Sequence, residues 1–90
     1  MWSVIFTKGG AADLDWFRRH DRRAYMKCFD LVRDMMLDPR SGIGKPEPLG
    51  HEDEDVWSRR IDKKHRLIYS IIDHEQGIVV SAFRSHYGDH

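Results

Sequence analysis

The spacing of the apolar residues changes once along this 90-residue chain, from a helical period to strict alternation. Between about residues 11 and 37, apolar side chains recur every three or four positions, as on one face of a helix. From Val56 onward they alternate with polar ones, as in half-buried strands. A chain of this length has room for one modest core. The change of period therefore predicts the α+β class, with helices packed on one face of a mainly antiparallel sheet.

The elements are predicted in the order β-α-α-β-β-β, within a single domain over residues 1–90. Gly9-Gly10 should break the chain between the first strand and the first helix, and Asp21 should cap the second helix of a helical hairpin. The predicted elements are a strand at 2–7, a helix from Ala11, a helix at 22–37, and strands at 56–62, 66–73 and 78–83, the last with residue 87 as its furthest limit.

The alternation also predicts a register for the last three strands. A three-residue turn at 63–65 would set Ile61 opposite Leu67 and so create one apolar face. Arg60 and Arg66 would then share the other face. A similar turn before the last strand would bring Arg66 near Arg84, with His86 on the same side.

Composition excludes several classes of protein. Lys and Arg number 15, as do Asp and Glu, so the formal net charge is zero; a globally basic nucleic-acid binder is excluded, although a local basic patch is not. The single cysteine, Cys28, allows no disulfide within the chain. We find neither a signal peptide nor a membrane-spanning segment, so we expect a cytoplasmic protein.

The first candidate functional residue is Glu47, which stands between Pro46 and Pro48. It lies in a predicted loop over residues 39–55 that is rich in Gly, Pro and charge. Two prolines stiffen the backbone and exclude a helix, so the carboxylate is presented as a general base would need to be. The alternative is a solvated loop acid, and the motif by itself favours that alternative.

The second candidate is a set of basic residues on the predicted strands and beside them. Arginines that face each other across a sheet repel unless an anion lies over them, and phosphate suits their planar forks. The alternative is pairing with Asp62 and the acidic run at 52–55. The set consists of Arg59, Arg60, Arg66 and Arg84, flanked by Lys45, Lys63 and Lys64.

The third candidate is the C-terminal segment Arg84-Ser85-His86-Tyr87. A histidine donates protons near neutral pH and a tyrosine can stack on an unpaired base, although an exposed strand end could hold both by chance. A metal site at His86, Asp89 and His90 would need a helix there, so no metal or cofactor is predicted. A base, an acid and cations suit attack by a ribose 2′-hydroxyl on its own 3′-phosphate, which indicates a possible nuclease.

Four blocks of this sequence together resemble the YoeB/Txe toxins of the RelE superfamily, and the resemblance covers essentially the whole chain. It implies a bacterial type II toxin with the fold of small microbial RNases, which cuts mRNA in the ribosomal A site. The implied partners are a YefM-like antitoxin, the 70S ribosome with its mRNA and a second copy in a homodimer, with operator DNA reached only through the antitoxin. The blocks are Lys45–Leu49, Trp57–Ile61, His65–Tyr69 and Arg84–Tyr87.

Carried over to this sequence, the resemblance makes Glu47 the general base and His86 the general acid. Arg66 would stabilise the scissile phosphate and Tyr87 would lie beside the mRNA. The basic residues expected near the RNA are Lys45, Arg59, Arg60 and Arg84.

Two features depart from the family. Gly50 stands where a lysine is common, and residues 88–90 extend the chain beyond Tyr87. Either could alter activity without changing the fold. The alternative function is therefore a catalytically weak protein that binds antitoxin and operator or blocks the ribosome. Whether Glu47 and His86 face one cleft discriminates between the two functions.

Overall fold

The computed structural model describes residues 1–50 and 54–86. In this part of the chain, two helices pack on one face of a five-stranded sheet, and the predicted α+β class is confirmed. No described helix has the length and apolar character needed to cross a membrane. The elements are β1 (Ser3–Phe6), α1 (Lys8–His20), α2 (Arg22–Leu37), β2 (Glu47–Pro48), β3 (Val56–Arg60), β4 (His65–Ile72) and β5 (Gly77–His86), with a short 3-10 turn at Asp73–Glu75 before β5.

The strands are arranged in the order β1-β5-β4-β3-β2. β1 runs parallel to β5 and every other neighbouring pair is antiparallel. The predicted order of elements is matched except for β2, a two-residue strand that pairs with β3 inside the predicted 39–55 loop. The strand is short, follows Pro46 and contains Pro48, so no prediction from the spacing of apolar residues could find it.

The prediction that Gly9-Gly10 breaks the chain is wrong, because both glycines lie in the first turn of α1. Thr7 caps this helix by accepting the backbone N–H of Gly10 at 3.0 Å. A Cβ on Gly10 would lie 2.6 Å from the Val80 carbonyl oxygen. The glycine is therefore needed for close approach of α1 to β5, and not for a turn.

The second helix has the predicted bounds and the predicted cap. Asp21 accepts the backbone N–H of Ala24 at 3.0 Å, as an N-cap aspartate should. One face of α2 packs on the sheet, where Leu31 meets core residues such as Leu67 and Phe83, all of them fully buried. The cysteine lies on this face, and burial raises the pKa of the Cys28 thiol to about 12.

The register of β3 and β4 differs from the predicted one by two residues. Arg59, not Ile61, lies opposite Leu67. Asp62 accepts the backbone N–H groups of Lys64 and His65, which lengthens the turn to residues 61–64. Because the shift is an even number, each side chain keeps its predicted face.

Irregular pairing of β4 and β5 changes which face of the sheet each side chain at the end of β5 occupies. The register shifts on either side of Ile68, and the Asp13 carboxylate on α1 accepts the backbone N–H groups of both Phe83 and Arg84, at 2.9 and 3.0 Å. Consecutive N–H groups point the same way here, as they do in a β-bulge. The bulge sets Ser85 opposite Arg66.

Candidate active site

Glu47 is presented by a hairpin of β2 and β3 on the edge of the sheet. Glu47 pairs with Ser58, and at the open end of the hairpin the backbone N–H of Arg60 donates to the Gly44 carbonyl at 2.6 Å. Gly44 and Lys45 both have positive φ, at 79° and 50°. This turn leads directly into the Pro46-Glu47-Pro48 segment. Because Glu47 is paired with β3, its carboxylate is held by a strand and not by an unpaired loop.

The structure brings Glu47 and Arg66 together on the sheet face away from the helices. Oε1 of Glu47 accepts a hydrogen bond from Nη2 of Arg66 in an ion pair. The arginine side chain is 7% exposed and the glutamate side chain 52% exposed. Arg60 lies directly opposite Arg66 across β3 and β4, so the carboxylate offsets the repulsion between two neighbouring cations. An exposed carboxylate beside two cations is able both to accept a proton and to bind a phosphate.

The expectation that Arg59 contacts RNA is wrong. Its side chain is fully buried, and all five guanidinium N–H donors are used within the protein. Alternation places it on the helix-facing side, where it holds the segment after α2. The acceptors are the Asp34 carboxylate, the Tyr69 hydroxyl and the carbonyl groups of Asp38, Ser41 and Ile43.

Arg84 does not share a face with Arg66, so the predicted proximity of the two is also wrong. The Arg84 guanidinium lies 3.7 Å from the ring centroid of Trp16 on α1, in a cation–π contact. Its backbone N–H is one of the two that Asp13 accepts. The bulge at this point explains the difference, because it turns the Arg84 side chain toward α1.

The ring of His86 lies beside the ring of His65, with centroids 5.4 Å apart. These residues are register partners, and His65 also packs edge-on against Phe17 of α1 at 5.0 Å. His86 is thus on the helix side of the end of β5, whereas Glu47 and Arg66 are on the other side. Tyr87 and the extension at 88–90, with Asp89 and His90, lie outside the described residues.

Of the acids that were expected to compete for the strand arginines, Asp55 and Asp62 pair elsewhere, whereas Glu52 and Asp53 lie outside the described residues. Asp55, at the end of the acidic run, pairs with Arg40, which also binds Asp73 at 2.7 Å. Asp62 binds the His65 ring at 3.1 Å. Burial raises the pKa of Asp62, but the hydrogen bonds from the His65 ring and from the backbone of His65 and Lys64 outweigh it and leave that pKa below its usual value.

Sequence reasoning missed a basic groove beside the Glu47 hairpin. The groove has a volume of about 590 Å³ and brings Lys27 of α2 next to Lys45, Arg60 and Lys63. Lys27 could have been found only from the packing of α2 against the hairpin, because nothing in its neighbours in sequence marks it. Of the predicted RNA-binding residues, the structure therefore groups Lys45 with Arg60 and separates both from Arg59 and Arg84.

Comparison with known proteins identifies the family. Residues 6–87 match the model of the YoeB-like toxin of bacterial type II toxin-antitoxin systems. Toxin YoeB of Synechocystis is 37% identical over 84 residues, which cover 93% of this chain and 95% of that protein. Toxin RelK of Mycobacterium tuberculosis is 40% identical over 87 residues, which cover 97% of this chain and all of that protein.

Solved structures show the same fold. A YoeB/ParE toxin from Agrobacterium tumefaciens superposes with a TM-score of 0.86 at 35% identity, covering 94% of this chain and 99% of that one. A YoeB dimer from Staphylococcus aureus gives 0.84 at 29% identity over 96% and 98% of the two chains. The heterotetrameric YoeB-YefM complex from the same organism gives 0.80 at 28% identity over 97% and 99%. This chain therefore belongs to the YoeB-like toxins of bacterial type II toxin–antitoxin systems.

Proposed function

We propose that this toxin is a ribosome-dependent endoribonuclease that cleaves mRNA in the ribosomal A site by metal-free general acid and base catalysis. The observation that carries the proposal is the Glu47–Arg66 pair on the open face of the sheet. It combines an exposed carboxylate with a buried, fixed cation, and a phosphate above them would meet both. Membership of the YoeB-like family adds to this support.

In the proposed mechanism, Glu47 removes the proton of a ribose 2′-hydroxyl. The resulting oxygen attacks the adjacent 3′-phosphate, the bond from phosphorus to the 5′-oxygen breaks, and His86 donates a proton to that leaving oxygen. The products are a 2′,3′-cyclic phosphate and a 5′-hydroxyl. Arg66 stabilises the charge that develops on the phosphate, and Tyr87 is proposed to lie beside the message.

The mechanism requires a conformational change at the end of β5. In the structure the His86 ring lies beside His65 on the helix side, so the imidazole has to move around the strand end to reach a phosphate at Arg66. His86 directly follows Ser85, the register partner of Arg66, so the movement begins at the last residue of β5.

The proposed partners follow from the relatives. A Staphylococcus aureus YoeB is solved with YefM and also as a dimer. We propose a YefM-like antitoxin for this chain, with operator DNA bound only through it, and a homodimer as a further assembly. The 70S ribosome and its mRNA are proposed on the strength of the family resemblance, which places the activity in the cytoplasm.

The second candidate function is a catalytically weak toxin that acts by binding antitoxin and operator or by blocking the ribosome. The position of the His86 ring favours it, since the proposed acid and base do not share a face of the sheet. In that case, the basic groove and the Glu47–Arg66 pair would serve binding alone.

The test is cleavage of a defined mRNA on translating ribosomes with EDTA present. We expect the wild type to cut in the A site, and we expect Glu47→Gln and His86→Ala to lose the cut while folding as the wild type does. Matched controls are Glu75→Gln and His74→Ala, which alter exposed residues of the 3-10 turn and should cut normally. No cutting by a folded, ribosome-bound wild type would establish the second candidate.

A further inference from the structure

The basic groove beside the Glu47 hairpin concentrates positive charge in a chain whose net charge is zero. Four cations line it, from α2, from the turn before β2, from the end of β3 and from the turn after β3. They are Lys27, Lys45, Arg60 and Lys63. The groove continues toward Arg23 through a smaller hollow of about 380 Å³ that shares Lys27 and Lys63 with it.

In the described part of the chain, the carboxylate in this groove forms no salt bridge with the groove lysines. Asp62 is engaged by the backbone N–H groups of Lys64 and His65, at 2.8 and 2.7 Å, and by the His65 ring. Within residues 1–50 and 54–86, no salt bridge reaches Lys27, Lys45 or Lys63. With four cations and one carboxylate in its lining, the groove carries a net positive charge that suits an external anion.

Some other exposed cations of the described chain have acidic partners on their own helix. Arg18 and Arg19 both pair with Asp15 on α1, and Arg33 pairs with Asp30 on α2. The distinguishing feature of the groove is that four cations from four different segments converge on one concave surface.

The hairpin side of the groove is held in one conformation before any ligand binds. Lys45 has a φ of 50°, which costs a non-glycine residue about 1 kcal/mol or more and persists only where the surroundings impose it. Buried Arg59 supplies the constraint by donating to the Ile43 carbonyl at 3.1 Å. A Cβ on Gly44 would lie 2.6 Å from Leu31 Cδ2, so the turn packs directly on α2.

The groove adjoins the proposed catalytic pair at Arg60, which lines the groove and lies opposite Arg66 in the sheet. Lys45 lies two residues before Glu47, and Arg60 is the register partner of Arg66. A strand whose scissile phosphate sits at Arg66 would carry its neighbouring phosphates past Arg60 into the groove. Lysines suit that task because they act as compact point charges toward phosphate oxygens, and contacts to phosphates carry no sequence information.

We infer that this groove, with Lys27 and Lys63 as its principal contacts, binds the backbone phosphates of the message that flank the cleavage point. The inference rests on the proposed function for its choice of ligand. It assigns binding without sequence preference to α2 and to the turn after β3, two segments that lie outside the Glu47–Arg66 pair.

The test measures binding without cleavage. The probe is a 70S ribosome programmed with a message that carries a 2′-deoxy nucleotide at the cut position, and vacant ribosomes serve as reference. The variant is Lys27→Gln/Lys63→Gln, and Lys8→Gln, at the start of α1 and outside the groove, controls for loss of a lysine charge. Dissociation constants are measured over a series of KCl concentrations.

We expect the double variant to lose affinity for programmed ribosomes, with the log–log salt slope reduced by about 1.4, since each contact to a single strand contributes about 0.7. Vacant ribosomes should show no such loss. An equal loss on vacant ribosomes would assign the groove to ribosomal RNA and overturn the inference, as would a variant indistinguishable from Lys8→Gln. A wild type that binds the programmed ribosome through the groove but cannot cut a normal message would refute only the nuclease proposal.

Discussion

The Nη1 atom of Arg59 lies 2.6 Å from Oδ2 of Asp34, and this ion pair joins β3 to α2. The arginine is fully buried and the aspartate side chain is 26% exposed. Burial raises the pKa of Asp34, yet the hydrogen bonds from Arg59 and from the backbone of Ile43 outweigh it and lower that pKa below its usual value. The carboxylate is therefore ionised at neutral pH and keeps the buried cation paired.

We predict that Arg59→Met destabilises the protein by about 3–5 kcal/mol, the range for breaking a buried ion pair by removing one partner. Four backbone and carboxylate acceptors, on Asp34, Asp38, Ser41 and Ile43, would lose their donor together. Urea unfolding measures the change. Arg33→Met, at an exposed pair, should cost no more than about 1 kcal/mol. Equal effects of the two substitutions would contradict a structural role for Arg59.

Arg59 also shows what the sequence could and could not predict about the site. Because side chains alternate along β3, Arg59 and Arg60 lie on opposite faces of the sheet. The sequence pattern therefore already indicates that only one of the two faces solvent. Four of the five partners of Arg59 lie 16 to 25 positions away, from Asp34 on α2 to Ile43 before the hairpin, and no local pattern identifies them. The resemblance supplied residue types at matching positions and could not distinguish a buried arginine from an exposed one.

The fold likewise has elements that local sequence signals predict and elements that depend on distant residues. The bounds of α2 were predictable because its cap, its period and the following proline are all local signals. Gly9-Gly10 was misinterpreted because the reason for Gly10 is Val80, on a strand 70 positions away. The β4–β5 irregularity was likewise hidden, since its cause is a carboxylate on α1.

The two glycines of α1 offer a matched pair of substitutions. Gly10→Ala places a methyl group 2.6 Å from the Val80 carbonyl oxygen and should destabilise the protein by about 1–3 kcal/mol. Gly9→Ala meets its nearest atom at an ordinary 3.5 Å and should stabilise the helix by about 0.5–1 kcal/mol. The midpoints of thermal or urea unfolding compare the two. If Gly10→Ala were as stable as Gly9→Ala, α1 would not approach β5 as closely as described.

Asp13 should control the order of the strand that carries His86. Asp13→Ala leaves the N–H groups of Phe83 and Arg84 without their acceptor, at a cost of about 1–3 kcal/mol. Hydrogen exchange at these two amides should then be faster by about tenfold or more. Asp13→Asn keeps a carbonyl oxygen and should retain much of the protection. Unchanged exchange in Asp13→Ala would show that the carboxylate does not hold the bulge.

The last prediction concerns acid stability and the turn that carries Lys63. Since the pKa of Asp62 is lower in the folded state than the usual 3.8, its contribution to stability is complete above the unfolded pKa and is lost as pH falls through the folded pKa.

The variant Asp62→Asn keeps an oxygen for the backbone N–H groups but cannot ionise. The variant should be less stable than the wild type at pH 6, and the two free energies of unfolding should converge as the pH falls through the folded pKa of Asp62. Urea unfolding between pH 2 and 6 measures both curves. Asp34, Asp38 and Asp73 titrate in the same direction in both proteins, so the difference isolates Asp62. Parallel curves across that range would mean that the aspartate acts through its shape and not its charge.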